Sequence, residues 1–168
     1  MGPGSAPGRG PALRARRASV VAFGEGTPGG DPRAGGKDEM ERSGDWLAQA
    51  RRDLETAAHC ARGGFHEWAA FAAQQGAEKA IKAVYQRLGG DAWGHSCTQL
   101  LAGLFAERGI EREDLLDRGR LLDRFYIPAR YPNGWDAGAP KDMIGERDAR
   151  DAIRAAEEIV RFCEGLLA

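Results

Sequence analysis

From residue 43 onward, apolar and polar residues alternate with the spacing of amphipathic helices. In the first predicted helix, apolar residues recur at intervals of three and four. Ser43 or Asp45 is expected to cap its N-terminus, and Gly63-Gly64 is expected to end it. The apolar positions are Trp46, Leu47, Ala50, Leu54, Ala57 and Ala61.

Four further segments share this helical periodicity. Their expected bounds are about His66 to Leu88, Ser96 to Gly109, Glu111 to Pro128, and Glu146 to Leu167. Ser96 is a good N-cap residue, and Gly109 is a typical residue for a helix end. Pro128 must end the fourth segment because proline cannot continue a helix.

The order of these segments predicts the fold class. No segment indicates a strand, since β-branched residues are few and never alternate with polar ones. Short connections between long amphipathic helices predict an all-α fold, an antiparallel up-and-down bundle of four to five helices. The connection at 128–145 is the exception, and a loop of about that length is more often functional than not.

Residues 1–40 differ in composition from the rest. The first 37 residues contain ten Gly and five Pro and have almost no periodic apolar pattern, which predicts a disordered Gly/Pro/Arg-rich tail. Met40 stands just before the first predicted helix, so translation from Met1 and translation from Met40 are both open. The predicted folded domain is 43–168.

The charge distribution argues against a general polyanion-binding surface. The first 37 residues hold six basic residues against two acidic ones, which leaves 18 basic and 23 acidic residues in the remainder. Contact with nucleic acid would therefore be local. No apolar run approaches the ~20 residues needed to cross a bilayer, so we expect no membrane contact.

The cysteine and histidine counts favour a reduced, metal-free protein. Cys60, Cys97 and Cys163 are far apart and form no Cys-x-x-Cys pair, and the chain has only three histidines. We therefore expect three small, reduced core cysteines, a cytoplasmic location, and neither a metal nor a cofactor.

The second predicted helix carries two stripes. The core-facing stripe contains Ala70, Gln74, Ala77, Ile81, Val84 and Leu88, and the stripe beside it contains Trp68, Phe71, Gln75, Glu78 and Lys82. Small residues from 69 to 80 should let a neighbouring helix approach closely. Glu78 and Lys82 are either an ordinary solvated i,i+4 pair or, with Gln75, the lining of a cleft or a subunit interface.

Two further residues carry candidate chemistry. His95 precedes the expected Ser96 cap, where a neutral, hydrogen-bonding ring is favoured, although capping or packing would also explain it. Arg130 lies between Pro128 and Pro132, outside any regular helix. Its guanidinium suits phosphate or carboxylate, so it is either a ligand group or part of a salt bridge to Glu78, Asp123 or Asp136.

Several short motifs in a fixed order resemble the HEPN domain (higher eukaryotes and prokaryotes nucleotide-binding) over about residues 43–167. They are Trp46-Leu47 with Asp53-Leu54, Gln74-Gln75-Gly76-Ala77-Glu78-Lys79-Ala80-Ile81-Lys82, Gly94-His95-Ser96, Tyr126-Ile127 and Arg130-Tyr131-Pro132. The resemblance implies a helical bundle, usually a homodimer. It also implies a minimal nucleotidyltransferase as partner, in a module of the toxin–antitoxin kind.

Many members of this family are metal-independent ribonucleases, with an arginine followed after four to six residues by a histidine. This chain keeps Arg130, but Trp135, Asp136 and Ala137 stand where the histidine would be. A solvated aspartate is a weak base at neutral pH. His95 replaces the histidine only if the fold brings it close to Arg130.

These observations leave three hypotheses. The first is a HEPN protein that binds nucleotide or RNA phosphate and is at most weakly catalytic. The second is a ribonuclease toxin that uses Arg130 with Asp136 or His95. The third is a purely structural helical subunit of a split nucleotidyltransferase. The candidate ligand-binding residues are Arg130, Tyr131, Gln75, Glu78, Lys79, Lys82 and His95.

Overall fold

The computed structural model describes residues 41–168, and every regular element in that range is helical. The helices are α1 (Ser43–Arg62), α2 (His66–Arg87), α3 (Cys97–Arg108), α4 (Glu113–Asp123), the single-turn α5 (Pro140–Met143) and α6 (Glu146–Leu167). The all-α bundle is thus confirmed. The predicted tail at 1–40 lies outside the described residues. None of the helices described is long and apolar enough to cross a membrane.

Helix α2 is the central element of the bundle. It packs against α1, α3 and α6, while α4 lies against α3 and α6. More than half of its residues are buried, including the whole predicted core stripe except the partly buried Leu88 at its end. The largest apolar side chains buried around it are Tyr85, Ile81, Leu101, Leu104, Leu115, Leu122 and Ile159.

The small residues of α2 allow α1 to lie against it, as the sequence predicts. A Cβ atom added to Gly76 would stand 3.1 Å from the carbonyl oxygen of Ala50 in α1. A larger side chain at this position would therefore push against the α1 backbone. Gly76 thus allows close helix packing at the expense of helix propensity.

Asp123 explains why α4 ends earlier than the sequence predicts. The expected end near Pro128 is wrong, since α4 stops at Asp123 and residues 124–130 form turns. The Asp123 carboxylate accepts hydrogen bonds from the Ser96 hydroxyl (2.6 Å) and from the backbone N–H groups of Cys97 (2.6 Å) and Thr98 (3.2 Å). A carboxylate at a helix N-terminus is favourable, so the end of α4 stabilises the start of α3.

Two other predicted helix starts need correction. Ser43 and Asp45 do not cap α1, because Ser43 is already its first residue and donates its backbone N–H to the Glu41 carboxylate at 2.7 Å. Helix α4 begins at Glu113, two residues later than expected. The predicted cap at Ser96 and the helix end at Gly109 are confirmed.

Substituting Gly119 by alanine should destabilise the bundle. Its added Cβ would lie 2.9 Å from the backbone nitrogen of Thr98, closer than real Cβ atoms come to a neighbouring backbone. We expect a loss of about 1–3 kcal/mol in the free energy of unfolding, measured by urea denaturation.

Gly165→Ala is the matched control, because this helical glycine has open space around the position of a Cβ. It should leave stability unchanged or raise it by up to about 1 kcal/mol. Equal effects of the two substitutions would contradict the close approach of α4 to α3.

Candidate functional site

A buried carboxylate, Glu78, organises the polar face of α2. Its side chain is only 5% exposed, and four donors surround it. Gln74 and Gln75 donate to Oε2 at 3.2 and 3.1 Å, and Lys82 donates to Oε1 at 2.9 Å. The ring of His95 contacts Oε1 through Nδ1 at 3.1 Å. A buried charge is costly without such partners, so these residues form one network.

The network keeps Glu78 ionised. Burial raises the pKa of its carboxyl, but the hydrogen bond and charge of Lys82, with the hydrogen bonds of His95 and Gln74, lower the pKa to a net value below the usual 4.5. An ionised carboxylate can only accept hydrogen bonds. His95 Nδ1 must therefore carry the proton and donate it, which leaves Nε2 unprotonated in the neutral ring.

The interpretation of Glu78 and Lys82 as a solvated surface pair is wrong. The Lys82 side chain is only 14% exposed, and its ammonium group lies against a carboxylate that solvent barely reaches. Gln74, also fully buried, donates to the backbone carbonyl of His95 at 2.8 Å. The amides of α2 thus fix the loop that carries His95.

Lys79 forms a second ion pair on the same helix. Its Nζ donates to Asp53 of α1 at 2.6 Å and to the Gln75 side-chain oxygen at 3.3 Å. Both members of the ion pair are largely shielded from solvent. Asp53 was not among the predicted site residues, although it belongs to one of the motifs that carry the HEPN resemblance.

Arg130 lies among aromatic rings. Its Nε donates to the backbone carbonyl of Tyr126 at 2.8 Å. Its Cζ lies 4.5 Å from the ring centroid of Phe71, 4.7 Å from that of Tyr126 and 5.1 Å from that of Tyr131. Such contacts favour a cation electrostatically and hold the guanidinium in place.

Arg130 has no carboxylate partner within residues 41–168. The ion pairs formed in this part of the chain do not include it, so the proposed bridges to Glu78, Asp123 and Asp136 are not formed there. Asp136 is exposed on the loop before α5. The Trp135 indole donates to the Pro128 carbonyl at 2.8 Å, which fixes the turn after Arg130.

Tyr126 joins His95 to Arg130. The His95 ring stacks on the Tyr126 ring with centroids 4.7 Å apart and an angle of 17° between the planes. Arg130 contacts the same ring, and the His95 side chain is 55% exposed. We refer to His95, Tyr126, Arg130 and Tyr131 as the Arg130 cluster. The sequence predicted all its members except Tyr126 as site residues, but it did not show that they meet.

The cysteines and potential metal ligands add no further chemistry to this site. No group of three or more His, Cys, Asp or Glu side chains within the described range is arranged to hold a metal ion. All three cysteines are free. Cys97 and Cys163 are buried as expected, whereas Cys60 is partly exposed and is not a core residue.

Replacing Glu78 by glutamine should destabilise the protein in a pH-dependent way. At pH 7 the variant leaves Lys82 shielded from water without its anion, which should cost about 3 kcal/mol of unfolding free energy. Folding lowers the pKa of Glu78. The wild type therefore loses its extra unfolding free energy over the variant as the pH falls below about 4.5 and through the folded pKa. Urea unfolding at several pH values measures the difference.

Glu55→Gln is the control, since Glu55 forms an exposed pair with Arg52 and should change stability little at any pH. A difference between wild type and Glu78→Gln that stays constant from neutral to strongly acidic pH would contradict the ionised network.

Comparison with known proteins gives a consistent result. The family model of the HEPN domain matches residues 43–166. The crystal structure of TT1696 from Thermus thermophilus is similar, with 41% identity over 76% of this chain and 99% of that chain and a TM-score of 0.73. A search of proteins with curated descriptions found no match.

Two further crystal structures are similar to this chain. For ST0689, an archaeal HEPN homologue, the identity is 39%, the coverage is 77% of this chain and 100% of that chain, and the TM-score is 0.66. For the HEPN domain protein tm0613 from Thermotoga maritima, the identity is 38%, the coverage is 73% of this chain and 97% of that chain, and the TM-score is 0.60. The ordered motifs, the helical bundle and these matches agree, and the chain belongs to the HEPN domain family.

Proposed function

We propose that this HEPN protein binds the phosphate of a nucleotide or RNA through Arg130. The observation that carries the proposal is a partly buried guanidinium that is held by aromatic rings and one backbone carbonyl. No carboxylate within residues 41–168 neutralises it. Its terminal N–H groups are therefore available for the paired hydrogen bonds that a phosphate accepts.

Other members of the site would support this contact. Tyr131 is 50% exposed beside Arg130 and offers a ring on which a base can stack. Lys79 and Lys82 have carboxylate partners, which lowers the charge that they would present to a phosphate. A role for both lysines, Gln75 and Glu78 in shaping the site is therefore favoured over direct phosphate contact.

We further propose a homodimer and a nucleotidyltransferase partner, in a module of the toxin–antitoxin kind. Several large apolar side chains are exposed, and such side chains are typical of interaction surfaces where they are contiguous. They include Phe65, Ile127 and Met143. If the chain is only a structural subunit, it should have no affinity for RNA alone and form a stable complex only with the co-expressed partner.

A metal-independent ribonuclease is the second candidate, and one observation favours it. His95 and Arg130 contact the same Tyr126 ring, and the buried Glu78 carboxylate orients the His95 imidazole. A carboxylate that holds an imidazole by Nδ1 leaves Nε2 as a base, the arrangement used in general acid–base catalysis.

The reaction would proceed by transfer of the phosphoryl group to the ribose 2′-oxygen. His95 Nε2 would take the 2′-hydroxyl proton while the 2′-oxygen forms a bond to phosphorus. The bond from phosphorus to the 5′-oxygen would break, water would protonate the leaving oxygen, and the hydroxide formed would take the proton from His95 and restore its neutral ring. Arg130 would stabilise the negative charge on the phosphoryl oxygens. The products would be a 2′,3′-cyclic phosphate and a free 5′-hydroxyl.

Arg130→Ala should weaken binding of a short single-stranded RNA about tenfold or more, because charge-assisted hydrogen bonds are lost. Fluorescence anisotropy with labelled RNA measures the affinity. Arg120→Ala is the matched control, since it removes one positive charge from an exposed arginine that already pairs with Glu113 and Asp117. Equal affinities of wild type and Arg130→Ala would overturn the proposed role.

His95→Ala tests the ribonuclease hypothesis. If the hypothesis is right, purified wild type cleaves total RNA to fragments ending in 2′,3′-cyclic phosphate, and both His95→Ala and Arg130→Ala lose this activity by about a hundredfold or more. Asp136→Ala should keep it. Intact RNA after incubation with wild type decides against a ribonuclease, and cleavage that survives in His95→Ala excludes His95 as the base.

A further inference from the structure

A groove between α1 and α2 opens next to the Arg130 cluster. Its volume is about 330 Å³, within the usual size range of small-molecule sites. Trp68, Phe71, Ala72 and Cys60 form its apolar wall. Trp68 is 49% exposed and meets Phe71 edge-on, with ring centroids 6.1 Å apart. About half of this residue's surface is therefore accessible to a ligand.

The groove and Arg130 share one side chain. Phe71 lines the groove, and its ring lies 4.5 Å from the Arg130 Cζ. A nucleotide has the matching layout, because one sugar ring separates its flat base from its phosphate. Two other hollows among the described residues do not offer this combination. One holds about 180 Å³ near Trp93, and the other is lined by charged and polar residues of α1 alone.

The far end of the groove is polar. The Asp53–Lys79 ion pair lines it. The ammonium group of Lys79 has three donors and uses two of them, for Asp53 and Gln75. One N–H donor of Lys79 and a lone pair of the Asp53 carboxylate thus remain to bond the polar edge of a heterocycle. An apolar wall with a few polar groups at one end is the usual composition of a site for a planar, polar ring.

We propose that this groove is the base-binding subsite of a single-stranded RNA whose phosphate lies on Arg130. A base stacks on Trp68, and its polar edge faces Asp53 and Lys79. The inference rests on the proposed phosphate contact and extends it, because it identifies the ligand class as nucleic acid with an unpaired base. Free phosphate and double-stranded RNA, whose bases are paired, would leave the groove empty.

The test compares two strands of equal length and equal sugar–phosphate backbone, one single-stranded RNA and one lacking all bases. Fluorescence anisotropy should give wild type about tenfold tighter binding to the strand with bases, the value expected for one stacked base. Trp68→Ala should lower this preference and leave affinity for the abasic strand unchanged. Trp68→Phe should retain most of the preference, because it keeps an aromatic face.

Trp93→Ala is the control, since Trp93 is 81% exposed and lies outside the groove. Circular dichroism of each variant verifies that it is folded. Arg130→Ala should weaken binding of both strands equally, which tests the phosphate contact separately from the base subsite.

Three results would overturn the proposal. A preference for bases that is as large in Trp68→Ala as in wild type excludes the base subsite and leaves the proposed Arg130 contact unaffected. Equal affinity of wild type for the strand with bases and the abasic strand also excludes the base subsite. If light scattering shows that wild type is a dimer and Trp68→Ala a monomer, the groove binds a second copy of this chain instead.

Discussion

The Glu78 carboxylate lies inside a helical bundle, and the placement of its neighbours follows from that fact. A buried anion needs donors that are already in position, because water cannot reach it. Lys82, Gln74 and Gln75 supply donors from the same helix, and His95 supplies one from the loop before α3. The polar stripe on α2 is therefore an internal network and not a solvated face.

The network also controls the outer part of the site. Glu78 fixes the tautomer of His95, and Gln74 holds its backbone carbonyl. Because the His95 ring stacks on Tyr126, it also supports the aromatic surface on which Arg130 lies. Asp123 adds to the same arrangement by joining the end of α4 to the start of α3. The result is a partly buried arginine that no carboxylate among residues 41–168 neutralises.

Most of the fold could be predicted from periodicity. Apolar spacing and glycine pairs indicated the five long helices, because these signals act over a few neighbouring residues. The end of α4 could not be predicted in this way. Asp123 ends the helix while its carboxylate bonds the N-terminus of α3, about twenty-five residues earlier in the chain, and such a contact leaves no local pattern.

The site was predicted in part. The polar residues of α2 left two interpretations of Glu78 open, a solvated pair with Lys82 and the lining of a cleft or interface. Spacing could not decide between them, since burial depends on the packing of the other helices. Arg130 and His95 were found as separate candidates. Their contact with the same Tyr126 ring depends on tertiary structure, so the sequence alone did not show it. The groove beside Phe71 was missed because its walls come from two helices.

The proposed function depends on phosphate binding by Arg130. Side-chain nitrogen NMR of the arginine Nε–H groups during titration with single-stranded RNA tests it most directly, with the Arg130 signal assigned by its loss in Arg130→Lys. If Arg130 binds phosphate, its signal shifts progressively with added RNA, while the signal of the exposed, ion-paired Arg120 stays in place. A titration that moves other arginine signals and leaves Arg130 unchanged would contradict it.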